Sequence, residues 1–154
     1  MKRRRNNRLP VVLLAVLLVA LLTSCSVQRV SASQDVGESG SATVQAEVTT
    51  ELDRNKVTLA CVAEVRAAEG DGLQEVQTGG FTVTDQAAGY AFVPQEDPAV
   101  TRQDDGTYLV KQTLQVYKSN AREEIAQMAL EATFAWDPDS RAVTGAAAVA
   151  DVQD

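Results

Sequence analysis

The chain of 154 residues reads as an all-β protein: an antiparallel β-sandwich of about seven strands, carried behind a signal peptide and a flexible tether. Three observations predict this. Beyond residue 42 the apolar residues recur at every second position, the period of a half-buried strand. The runs are separated by Asp, Asn, Gly and Pro clusters that favour turns. Antiparallel strands with one polar face need a second layer to cover the other, and two stacked sheets supply it. About 113 residues (42–154) can bury roughly two-thirds of their unfolded surface, enough for one core without disulfides.

Residues 1–24 form a different piece. Lys2, Arg3, Arg4, Arg5 and Arg8 precede an unbroken apolar run from Val11 to Leu22. A helix needs about 20 apolar residues to span a bilayer, so this run is a secretory signal rather than a membrane span. Its end, Leu22-Thr23-Ser24-Cys25, resembles the lipobox of bacterial lipoproteins. That resemblance implies cleavage before Cys25 and acylation of its sulfur, since the thiolate is the nucleophile that takes the diacylglyceryl group. The small Thr23 and Ser24 suit an extended chain in the signal peptidase. An ordinary signal would need a small residue where Leu22 stands. Two acyl chains suffice for stable anchoring, on the outer face of the cytoplasmic membrane or on the outer membrane.

Ser26–Ser41, following Cys25, is Ser-rich, lacks aromatics and shows no period of 2 or 3.6, so residues 25–41 read as a lipidated cysteine and tether. Sixteen residues reach roughly 50 Å extended and about 22 Å as a coil. In the domain, Val44, Ala46, Val48, Thr50 and Leu52 share one face, and Val57, Leu59, Cys61, Ala63 and Val65 share another. With Asp53-Arg54-Asn55 between them, the two runs make a hairpin. Glu69-Gly70-Asp71-Gly72 and Thr78-Gly79-Gly80 read as turns, with short strands at 81–84 and 90–93. Pro94 to Pro98 is a loop and Asp104-Asp105-Gly106 a turn. A long strand covers 107–118, with Tyr108, Val110, Leu114 and Val116 on one face.

Residues 121–136 fit two patterns. Asn120 with Glu123 would make a capping box for a helix, whereas Ala126, Met128, Leu130, Ala132, Phe134 and Trp136 alternate without a break. The expectation is a short helical turn near Arg122, then a strand to Trp136. After the Asp137-Pro138-Asp139-Ser140 turn comes a last strand over 142–152. Val57-Thr58-Leu59-Ala60-Cys61 is similar to the strand that carries the first cysteine of immunoglobulin-type sandwiches. Asp105-Gly106-Thr107-Tyr108 is similar to a turn-and-strand start of that fold. No second cysteine is left for Cys61 and no Trp follows it at core spacing, so this likeness supports a sandwich and transfers no function.

The chemistry is narrow. With no His and two Cys, the chain lacks imidazole-based catalysis and the ligands of a Cys₄ zinc site. Removing the five basic residues of the signal leaves nine against 21 acids, a net charge of −12. Such a surface does not seek nucleic acid, and anionic headgroups repel it, so the domain is expected to stand off the bilayer. Asp137 and Asp139, at i and i+2, are a fragment of calcium-loop spacing that an Asx turn explains equally. Cys61 lies on the apolar face and reads as core. Trp136, at a strand end, is a candidate partner contact. Phe81, Tyr90 and Phe92 are either a binding patch or sandwich filling. The expectation is a non-enzymatic, cofactor-free envelope lipoprotein whose acidic domain binds or scaffolds another protein. A small-ligand or cation-binding lipoprotein is the alternative, and a two-carboxylate hydrolase the third reading.

Overall fold

The protein is described from a computed structural model, covering residues 27–29, 34–35, 40–68, 72–86, 89–120 and 122–153. The signal and lipobox, including Leu22, Thr23, Ser24 and Cys25, lie outside the described residues. Strand order along the chain is β1 (Val27–Arg29), β2 (Gln34–Asp35), β3 (Ser41–Leu52), β4 (Asn55–Ala68), β5 (Gly72–Gln86), β6 (Tyr90–Pro94), β7 (Ala99–Arg102), β8 (Tyr108–Lys118), β9 (Glu123–Asp137) and β10 (Ala142–Gln153). The protein is an all-β, antiparallel sandwich. One sheet has the order β1-β3-β4-β5. The other has β2-β10-β9-β8-β6, with β7 also on β8.

The seven expected strands correspond to β3, β4, β5, β6, β8, β9 and β10. The alternation that predicts them also fixes which face is buried. Val44, Ala46, Val48 and Leu52 of β3 meet Val57, Leu59, Cys61, Ala63 and Val65 of β4 in one core with Val110, Leu114 and Val116 of β8. Met128, Leu130 and Phe134 of β9 complete it. Phe81, Tyr108 and Phe134 are buried, and Tyr90, Phe92 and Trp136 pack against the core while partly exposed. The aromatic residues therefore serve chiefly as filling.

Four local expectations are corrected. Thr78-Gly79-Gly80 is not a turn but a bulge inside the 15-residue β5. Cys61 pairs with Phe81 and Ala63 with Thr78, so Val62 faces two residues. Gly80 takes φ +91°, open to glycine and costly for other residues. Around Arg122 the helical turn is a lone α-turn and not the capped start of a helix: the Arg122 N–H donates to the Lys118 carbonyl, four residues back, at 2.9 Å, Arg122 takes φ +51°, and β9 begins at once. The alternation of β9 buries a full face against the core, which a four-residue capping signal cannot match. Asn55 belongs to β4, leaving a two-residue turn in which Asp53 and Arg54 have φ of 51° and 66°. That is the left-handed geometry whose twist suits a tight hairpin.

The fourth correction concerns the expected tether, which contains β1 and β2. Val27–Arg29 pairs with Thr49–Glu47 of β3, and Gln34–Asp35 pairs with Val143–Ala142 of β10. Strands of three and two residues are too short to show a period of 2, so the sequence pattern could not reveal them. Together they form a strap from one sheet to the other along the β3/β10 side.

The bulge couples the sheets. It turns the Phe81 N–H to the Gln112 Oε1 of β8 at 2.8 Å, and Gln112 Nε2 donates to the Glu96 carbonyl at 3.1 Å. Gln112 is buried, 4 % exposed, in an otherwise apolar row. A Cβ at Gly80 would overlap its amide. Replacing Gln112 by Leu orphans the Phe81 N–H, and a buried unpaired donor costs about 2 kcal/mol. Urea unfolding should show that loss as a lower midpoint with unchanged slope.

Candidate functional site

Polar side chains collect at the two ends of the sandwich, where strands stop and turns expose charge. At one end stand the β3–β4 turn, the start of β6 and the β8–β9 turn. The Lys118 Nζ lies 3.8 Å from Asp53 Oδ2, and the Tyr90 hydroxyl donates to the same oxygen at 3.3 Å. Asn55 Nδ2 donates to the Asp53 carbonyl at 3.0 Å and to the Tyr90 hydroxyl at 3.2 Å. Both sheets are thus tied at this end by a polar cluster with exposed members. Beside it Ala91, Tyr117, Lys118, Ser119 and Arg122 line an open recess of about 360 Å³. Among the described residues the Arg122 side chain makes no ion pair within 4.0 Å.

The opposite end carries the acids singled out in the sequence, and both turns use them in the same way. Asp137 Oδ1 accepts the Asp139 N–H at 3.0 Å, and its Oδ2 accepts the Ser140 hydroxyl at 2.6 Å. Asp105 Oδ1 accepts both the Thr107 N–H at 2.9 Å and the Thr107 hydroxyl at 2.7 Å. The side-chain hydrogen bonds, from Thr107 and Ser140 respectively, hold the Asp105 and Asp137 carboxyls below the usual carboxylate range. Asp139 is exposed and contributes its backbone N–H. This is Asx-turn chemistry. Among the described residues no group of three or more His, Cys, Asp or Glu is placed to hold a metal ion.

Cys61 is fully buried, and burial pushes its thiol upward, with a 3.4 Å contact to the Thr78 hydroxyl acting weakly the other way. A neutral, enclosed thiol is a poor nucleophile. Trp136 lies half-buried against Val143 of β10, and its Nε1 is buried with no acceptor among the described residues. Its ring packs against the margin of the core and stays partly exposed. Gln112 and the Lys118–Arg122 recess were missed in the sequence. The signal for Gln112 was a lone polar residue in the apolar row of β8. The recess had none, because it assembles from two non-adjacent segments.

A smaller dent of about 90 Å³ lies between Glu64, Arg66 and Glu75 on the other sheet. Among the described residues no helix is long and apolar enough to cross a membrane. Comparison with protein-family models, with curated proteins and with solved structures finds no match for this chain. Function must therefore be read from its own residues.

Two measurements check these assignments. Cys61 should resist thiol reagents in the folded protein and react at full stoichiometry in denaturant. The Asp105 and Asp137 carboxyls sit lower folded than unfolded, so their stabilisation is fully present above the ordinary value, about 4, and is lost as pH falls through the lowered values. The double variant Asp105→Ala/Asp137→Ala should flatten the acid limb of melting temperature against pH.

Proposed function

We propose that the protein is a lipoprotein of the bacterial cell envelope, anchored through Cys25 and facing outward, whose acidic β-domain binds or scaffolds another envelope or extracellular protein without enzymatic activity. The observation that carries the reading is Leu22-Thr23-Ser24-Cys25 at the end of a twelve-residue apolar run behind five basic residues. All three signal regions occur in order and at working spacing.

The domain's composition supports a binding role. Its thiol is buried, and the carboxylates of Asp105 and Asp137 are engaged in turns. Its net charge of −12 after the signal favours steering of a basic partner. The polar ends of the sandwich, rather than a deep cleft, offer the contact surface.

Cys25→Ala should leave unprocessed precursor or unlipidated protein. A normally acylated product from this variant would refute the anchor. Crosslinking in intact cells, followed by detergent extraction at moderate salt, should give one stoichiometric protein adduct. Absence of any adduct would count against scaffolding while leaving the anchor standing.

A further inference from the structure

The strap changes where the domain sits. Val27 pairs with Thr49, three residues before Leu52, so the described chain begins about 10 Å short of the β3–β4 turn. Cys25 is two residues upstream of Val27, and two residue steps span at most about 7 Å. By contrast β4, with 14 residues, runs roughly 46 Å to the other end of the sandwich. An acylated Cys25 therefore brings one particular end of the domain to the headgroups and leaves the Asp105 and Asp137 turns pointing away. The 16-residue spacer expected from composition is cut to one residue, Ser26.

The end so placed carries the Lys118–Arg122 recess. Arg54, Lys56, Lys118 and Arg122 lie here, four of the nine basic residues left after the signal. Glu51, Asp53, Asp85, Glu123, Glu124 and Asp151 lie at the same end, so it is not a basic surface. Its chemistry suits individual phosphate groups held between two cations, rather than a diffuse anionic field. The Lys118–Asp53 pair is long, and both side chains are about half exposed, so Lys118 can exchange that partner at little cost. Arg122 can take a phosphate through its planar fork.

We infer that, in the acylated protein, the end bearing the β3–β4 and β8–β9 turns contacts the bilayer, with Lys118 and Arg122 taking the phosphate of a phospholipid headgroup. This rests on the lipoprotein reading. It reverses the expectation, drawn from net charge alone, that the domain stands clear of the membrane.

The test uses the full chain, purified from the membranes of a lipidating bacterium and reconstituted into phosphatidylcholine vesicles containing a headgroup-nitroxide lipid. A bimane label is placed at Asn120→Cys or Asp139→Cys, with buried Cys61 left in place. The label at 120 should lose about half its emission or more, being held near the headgroups by about 7 Å of chain. The label at 139 should keep its emission. Equal quenching of both labels would mean a side-on domain, and quenching of neither a distant one; either overturns the inference.

Mass spectrometry of the same sample separates the two readings. An unacylated Cys25 sinks the lipoprotein assignment, whereas an acylated chain with unquenched 120 sinks only the docking. Lys118→Gln/Arg122→Gln should reduce quenching at 120, and an unchanged value would remove the phosphate contact. Asp53→Asn, tolerated at a left-handed turn position, should act oppositely by freeing Lys118.

Discussion

The two sheets are held in register by a hydrogen bond that neither could make alone. An antiparallel ladder normally uses the N–H groups on one side of an edge strand and leaves the others to water. In β5 the two glycines of the bulge free the Phe81 N–H inside the sandwich, where water does not reach. Gln112 must answer it, and its Nε2 must then find the Glu96 carbonyl. Apolar packing tolerates small slips because it is non-directional. An amide satisfied at both ends does not, and this one fixes how β5 lies over β8. The Tyr108 hydroxyl, donating to the Gln74 carbonyl at 2.7 Å, makes a second tie along the same pair of strands. Together they satisfy two backbone groups of β5 from side chains of β8 across the sandwich.

Charge is distributed by the same economy of turns. Several of the acids that make the domain so negative are spent locally: Asp105 and Asp137 order the loops that follow them, and Asp53 links Tyr90 with Lys118. Across β8 and β9 the Lys111–Glu131 pair, at 2.8 Å, joins residues directly opposite in the ladder. A sum over the whole chain hides this arrangement. The two ends of the sandwich differ less in net charge than in which groups remain available: a cationic recess at one, self-satisfied carboxylates at the other.

Much of the architecture was legible because period-2 patterns are long here. Twelve residues of β3 and fifteen of β9 repeat their alternation often enough to outvote a capping signal at Asn120. The turn at Asp137 was legible for a related reason, since Asp-Pro-Asp-Ser supplies its own hydrogen bonds. Thr78-Gly79-Gly80 misled because glycine at positive φ serves a turn and a bulge alike. What separates them is the partner strand, and Gln112 lies far along the chain. The strap and the recess were illegible on the same ground: both are made by non-local pairing, to which composition and spacing are blind.

The strap has a consequence for the order of assembly. Sheet β3-β4-β5 and sheet β6-β8-β9-β10 each come from a contiguous stretch of chain and can zip up hairpin by hairpin. β1 needs only the edge of β3, but β2 needs the start of β10, near the C-terminus, so the strap can be completed only once both sheets are in place. With three and two residues, β1 and β2 have no stability of their own. Docking of the strap therefore reports that both sheets exist and face each other correctly.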